Sequence, residues 1–248
     1  MVSSNNSINN VVGASISGVT NSLTVKNASN TASSSARKKI TVGGGSSGDA
    51  SLNWNVSGTT NWEMGCDNSD SDKLKISIGT ALGTNDAWTM TTDGECNLPL
   101  HPAFSAYLPT DDVNVTGNST EYTLGNTSVA HSLTELYDVT GDFTPGAAGG
   151  AFFTAPIDGK YFLSMAVDVY NYSTKPNTTT CYIHTPLFTY RGANLWQAAF
   201  GGTPGATLSV ITTLDAADIV TFTVLSGPGA KSAELERAST WVNGCLVF

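Results

Sequence analysis

Apolar and polar residues alternate along much of this chain. From Tyr161, the residues Tyr161, Leu163, Met165, Val167 and Val169 share one side, and Phe162, Ser164, Ala166 and Asp168 the other. A period of two predicts a strand with one face in a core. Pro156, Asp158 and Gly159 supply the turn that feeds it. The last residues, Trp241 to Phe248, predict an apolar strand built into a sheet rather than a frayed tail. Between them lie further strand-like runs. Val113–Thr116 and Thr120–Leu124 flank a turn at Gly117-Asn118, Leu136–Phe143 leads into a Gly-rich loop at Pro145–Gly150, and Cys181–Trp196 follows a polar loop at Asn171–Thr180. Leu208–Ile211 and Ile219–Leu225 complete the set, with Ser226-Gly227-Pro228-Gly229 as a turn. Only Ala230–Ala238 reads as briefly helical, and a loop fits it equally. Short strands at this spacing predict a sandwich or jelly roll.

The first 97 residues differ in character. Leu, Ile, Val and Phe make up only 16 of them, too few for an ordinary globular core. Disorder would normally also bring a large net charge, and six Lys/Arg against eight Asp/Glu leave little. The apolar residues are patterned in short alternating clusters: Leu23/Val25, Ile40/Val42, Leu52/Trp54/Val56, Trp62/Met64, Leu74/Ile76/Ile78 and Trp88/Met90. Turn-formers separate them, notably Gly43–Asp49, Asn68–Asp70 and Gly83–Asp86. Strands this short cannot bury enough surface alone. Three copies about an axis can, each covering another's apolar side. No heptads occur, so a coiled coil is not predicted.

Two segments frame this region. Residues 1–20, rich in Asn, Ser and Val, read either as an arm that docks on a larger particle or as disorder in isolation. Pro99 and Pro102 stiffen the junction Cys96–Pro102. The expected organisation is an arm at 1–20, a β-rich stem at 21–100 and a jelly-roll knob at 101–248.

Charge narrows the partners. The chain carries net charge -9, and only 12% of its residues are charged. That disfavours nucleic acid and anionic membranes, which select basic patches. No run is apolar and long enough for a membrane-spanning helix, and the N-terminus shows neither the basic nor the apolar region of a signal peptide. The four cysteines, Cys66, Cys96, Cys181 and Cys245, form no Cys-x-x-Cys pair. They are read as free thiols, although three disulfide connectivities remain open.

Four landmarks carry a resemblance. Ala103-Phe104-Ser105-Ala106 comes first, then Phe153-Thr154-Ala155-Pro156-Ile157-Asp158-Gly159-Lys160-Tyr161-Phe162. Leu214-Asp215-Ala216-Ala217-Asp218-Ile219-Val220 and Trp241-Val242-Asn243-Gly244-Cys245-Leu246 follow. In this order they resemble the C1q-like (C1q/TNF-type) jelly roll, with Ala217 where that family usually has Gly. The resemblance implies a compact trimer of jelly rolls and no particular ligand. Upstream, Ser22–Asn27, Gly48–Trp54, Trp62–Ser69 and Thr91–Glu95 resemble segments that precede such knobs in phage-type fibre proteins. Fold class is therefore expected to be all-β, with a trimeric fibre shaft followed by the jelly roll.

Candidate chemistry is sparse. Asp67, Asp70 and Asp72 lie in an Asp-rich turn that starts like an EF-hand loop. Lys73 then falls where an oxygen ligand belongs, and Ile78 where the bidentate Glu belongs, so a solvated turn is read before a calcium site. His101, His131 and His184 lack ligand spacing. Nucleophile, Walker-type and dinucleotide fingerprints are absent, and Asp111-Asp112 would point to opposite faces of a strand. An enzyme is not expected. The best recognition candidates are Tyr170, Tyr172, Tyr190, Arg191 and Trp196, in or beside knob loops, since aromatics with Arg favour recognition, including stacking on sugars. Packing at a trimer interface would account for the same residues.

The function these features predict is a virion-surface fibre or spike protein. It would be a homotrimer, attached to other virion proteins through its N-terminus, whose knob meets a host-surface glycan or protein. One alternative is a structural decoration without a receptor, such as a head fibre or tail-needle knob. Another is a secreted C1q-like signalling or lectin protein, which would require a leader and disulfides.

Overall fold

The structure is a computed structural model that describes residues 25–32, 34–172, 178–192 and 205–248. The segment 1–20 and Trp196 lie outside the described residues. Among these residues the regular elements are strands, plus one short 3-10 turn at Asn68–Asp70.

The N-terminal strands are β1 (Ala50–Val56), β2 (Thr60–Asp67), β3 (Lys73–Ile78), β4 (Asp86–Met90) and β5 (Cys96–Asn97). They form one antiparallel meander in the order β1-β2-β3-β4-β5, which among the described residues shares no ladder with the other strands. Ile40 and Val42, read as a strand-like pair, lie outside any strand and are exposed. Among the described residues no strand pairs with them, and an isolated extended segment gains nothing from alternation.

The remaining strands are β6 (Ala103–Tyr107), β7 (Asp112–Thr116), β8 (Glu121–Thr123), β9 (Thr134–Asp138), β10 (Phe143–Thr144), β11 (Phe152–Thr154) and β12 (Gly159–Tyr170). After them come β13 (Thr178–His184), β14 (Thr189–Arg191), β15 (Gly205–Leu214), β16 (Ile219–Gly227), β17 (Ala233–Leu235) and β18 (Trp241–Leu246). Two sheets result. One runs β15-β12-β18-β6-β9, with β17 and β7 continuing it beside the far end of β12. The other runs β10-β11-β16-β13-β14, with β8 also against β16. From β11 to β18 the chain crosses repeatedly between the sheets, which is the jelly-roll arrangement of antiparallel strands. Ala230–Ala238 holds a short strand rather than a helix, because β17 finds open edges on β7 and β12. Leu136–Phe143 is divided into β9 and β10 by a turn that Asp138 organises, its carboxylate accepting from the amides of Gly141, Asp142 and Phe143.

The core explains why the four sequence landmarks occur together. Phe104 of the first is wholly buried and stacks on Phe143 at 4.5 Å and on Phe153 of the second at 4.9 Å. Tyr161 packs against Phe153 at 5.5 Å, and its hydroxyl donates to the Ile157 carbonyl at 2.8 Å. Gly244 of the fourth faces Phe104 so closely that a Cβ there would stand 2.4 Å from the ring. The third landmark is a tight turn: Ala217 has φ 71°, and its amide donates to the Ala155 carbonyl at 2.8 Å. The final strand is built in as expected. The Val247 amide donates to the Lys160 carbonyl at 2.7 Å, and the Lys160 amide donates to the Phe248 carbonyl at 2.9 Å.

Candidate functional site

The N-terminal sheet buries polar residues on one face and leaves its apolar residues exposed or half-buried on the other. Register places Leu52, Met64, Ile76 and Trp88 in one row across the strands, with Trp54, Trp62 and Ile78 beside it. Cys66, Leu74, Met90 and Cys96 form the next row. All of these side chains are exposed or half-buried. On the opposite side Glu63, Asp67, Lys75 and Ser77 are buried.

The buried side is held by a cation among carboxylates. Lys75 Nζ lies 2.8 Å from Asp67, 2.7 Å from Asp70 and 3.2 Å from Asp86. Asp67 also caps the 3-10 turn, accepting from the amides of Ser69 and Asp70. Asp86 accepts from the Ser77 hydroxyl and, at 2.9 Å, from the Gly83 amide. Glu63 accepts from Ser51 and Asn53. Burial works against charge on Lys75, yet hydrogen bonds to Asp67, Asp70 and Asp86 more than offset it and raise its pKa. Burial likewise opposes charge on Asp67 and Asp86, and their hydrogen bonds to Lys75, Ser69, Ser77 and Gly83 outweigh it, so both pKa values are lowered. Asp70 is lowered chiefly by its bond to Lys75. Two of the three aspartates that suggested a cation turn therefore grip the chain's own ammonium, while Asp72 stands exposed in a left-handed turn at φ 58°.

The knob has a second open face. Tyr161, Leu163, Met165 and Val167 point into the sandwich, so Phe162, Ser164 and Ala166 point away from it. Outward register aligns Ile211, Phe162, Cys245 and Ala103 in one row, and Thr207, Ala166, Trp241 and Tyr107 in another. Between them runs a polar row, where Ser164 pairs with Ser209 at 2.9 Å and Ser105 donates to Asn243 at 2.7 Å. Ile211 is 58% exposed and Leu136, at the edge, 68%. Tyr107, Leu136, Arg237 and Trp241 line an open groove at one end of this face.

The predicted recognition residues do not form one patch. The Tyr170 hydroxyl donates to Asp111 at 2.6 Å at the far end of β12, and this bond pushes its pKa up. Tyr172 packs against the core. Tyr190 stands just after the turn closed by Thr185 and Phe188. It lies on β14 across from buried Ile183, so it points inward, and its hydroxyl donates to Thr212 at 2.8 Å. Thr212 pairs with Tyr161, nine residues from Tyr170, or about 30 Å along the strand. Tyr170 and Tyr190 thus sit near opposite ends of the sandwich. Arg191, next to Tyr190, takes the outward side opposite Tyr182 and is exposed.

Histidines and cysteines are dispersed. His101 contacts the Leu246 carbonyl at 2.6 Å, and His131 meets the buried Asp112 at 2.9 Å. His184 is held between Glu121, Thr223 and Thr189. Among the described residues no group of three His, Cys, Asp or Glu is placed to hold a metal. All four cysteines are free. Cys66 and Cys96 are exposed, and only Cys181 is buried, its thiol pushed up to about 11 by burial.

Missed by sequence reasoning was the outward row around Tyr182 and His184. The alternation Cys181/Ile183 against Tyr182/His184 was the available signal.

No family model and no curated protein matches the chain. Among solved structures it is similar to murine APRIL at pH 8.5, with 12% identity and a TM-score of 0.40, over 59% of this chain and 99% of that one. It is similar to the globular domain of zebrafish complement 1qA, with 15% identity and a TM-score of 0.40, over 60% and 98% of the two chains. It is also similar to the PRD1 vertex protein P5, with 16% identity and a TM-score of 0.40, over 59% and 97%.

Proposed function

We propose that this chain is a homotrimeric fibre or spike protein of a virus or phage, with a β-sheet stem and a jelly-roll knob that contacts a host surface. The observation that carries the reading is the pair of open apolar faces on one chain. Among the described residues Trp54 and Trp62 on the stem and Ile211 on the knob are exposed, and Ile78, Phe162 and Trp241 are only half-buried, while Glu63, Asp67 and Lys75 lie buried on the other side of the stem sheet. Apolar area removed from water contributes about 25 cal/mol per Å², and a stable interface takes about 800 Å² from each partner. Copies of the same chain, related by rotation, cover both faces at once.

Attachment then works through avidity. A weak site repeated on each subunit, and on many fibres, gains orders of magnitude in effective affinity without a new contact. Purified full-length chain added to host cells should block adsorption of the particle that carries it. Undiminished adsorption at saturating chain would remove the attachment role and leave a structural decoration.

A further inference from the structure

The outer face of the second knob sheet carries a polar network centred on the half-buried His184. Thr223 of β16, Tyr182 of β13 and Arg191 of β14 lie in one row across the strands. His184, two residues on from Tyr182, stacks beside it with ring centroids 5.8 Å apart and planes 25° apart. Both imidazole nitrogens are engaged. Nε2 lies 2.6 Å from Glu121 Oε1 and 2.9 Å from Thr223 Oγ1, and Nδ1 lies 3.1 Å from Thr189 Oγ1. The Thr223 hydroxyl also donates to Glu121. The ring is thereby fixed in orientation, and so is one oxygen of the carboxylate.

Several groups are left over. Among the described residues the second Glu121 oxygen, the Tyr182 hydroxyl and the Arg191 guanidinium make no hydrogen bond. Glu121 and Arg191 are exposed, and Tyr182 and His184 half-buried. The arrangement is a stacked Tyr182–His184 pair with the Glu121 carboxylate against the imidazole and a five-donor guanidinium on β14 opposite Tyr182. The backbones of β8 and β14 are three strand spacings apart, roughly 14 Å, and the Glu121 carboxylate reaches across to His184, whose other nitrogen meets Thr189 of β14.

We propose that this face binds an oligosaccharide. A sugar ring offers an apolar C–H face and a rim of hydroxyls that both donate and accept. The Tyr182 and His184 rings match the first, and Glu121, Tyr182 and Arg191 match the second. The network around His184 is formed before any ligand arrives, so little ordering cost falls on binding. The net charge of -9 disfavours nucleic acid here. This inference rests on the proposed attachment role and names its ligand class. The sheet lies across the sandwich from the apolar knob face, so each subunit of the assembly would present its own copy outward.

The test is the full-length chain on an array of immobilised bacterial surface polysaccharides and animal-type oligosaccharides. Wild type should be retained by a defined subset. Tyr182→Ala and Glu121→Gln should each lose at least tenfold in apparent affinity, and Tyr182→Phe should keep most of it because the ring remains. Glu121→Gln alters an exposed group, so it decides the matter if Tyr182→Ala fails to fold. A wild-type chain that is retained by no sugar, or a Glu121→Gln chain that binds unchanged, overturns the inference. A trimer with a blank array sinks the sugar site and leaves self-association standing, whereas a monomer sinks self-association whatever the array shows.

Discussion

Trp54 sits directly across from Trp62 in the β1–β2 ladder, and both indoles remain on the open face, 50% and 40% exposed. Cross-strand aromatic pairs usually stabilise a sheet by packing against a core. Here the described residues leave both indoles exposed. In the proposed assembly it lies between subunits, where buried tryptophans dominate binding energy. Trp62→Asp should therefore weaken association by about 2 kcal/mol or more per subunit. Sedimentation on dilution reads this as dissociation at a concentration at least tenfold higher than for wild type. Unchanged dissociation would place the indole outside the interface.

Lys75 makes a different claim, because its ammonium is enclosed by Asp67, Asp70 and Asp86. Lys75→Met keeps the bulk and removes the charge, leaving Asp67 buried without its cation. Breaking one partner of a buried pair costs on the order of 3 kcal/mol. Urea unfolding followed by tryptophan fluorescence should show it, since Trp54, Trp62 and Trp88 report on this sheet. A midpoint equal to wild type would mean that water screens the cluster.

The same cluster sets a pH dependence. Asp67, Asp70 and Asp86 have pKa values below the ordinary 3.8 in the folded chain. Such groups stabilise the fold above their unfolded pKa, and the contribution is lost as pH falls through the folded values. Lys75 is raised above 10.5, so its contribution is complete below that pH and is lost on the alkaline side. The stem should hold a plateau from about pH 5 to 10 and weaken below about pH 4. Thermal midpoints across that range should shift less in Asp67→Asn than in wild type.

Ala217 holds φ at 71°, a left-handed value that costs a Cβ-bearing residue roughly 1 kcal/mol. Its turn is otherwise satisfied, with Asp215 and Asp218 bonded to each other and the Ala216 amide donating to Asp158 at 2.7 Å. Ala217→Gly should raise knob stability by about 1 kcal/mol, read as a higher thermal midpoint. A lower midpoint would show that the unfolded chain's extra freedom outweighs the relieved strain.

These effects separate what the sequence revealed from what it concealed. Phe104, Phe153, Tyr161 and Gly244 were legible as landmarks because they meet in one core, where packing restricts the choice of residue. Period-two alternation in Leu52–Val56, Trp62–Met64 and Leu74–Ile78 was legible as a face. Alternation divides a strand into two faces without saying which one is covered, so the closed polar side built on Lys75 and Glu63 was not visible. The inward direction of Tyr190 was not legible, because it follows from its pairing with Ile183, a register that only the folded sheet supplies. Ile40 and Val42 alternate like strand residues but find no partner strand. Arg191 and Tyr182 come together only across the β13–β14 ladder, so neither stood out with the other in the linear chain.

The central claim is self-association, and the mass of the full-length chain in solution by light scattering tests it most directly. Three times the mass of one chain, persisting on dilution, is the expected result. A folded monomer would contradict the account, which assigns the Trp54–Trp62 face and the Phe162–Ile211 face to contacts between copies.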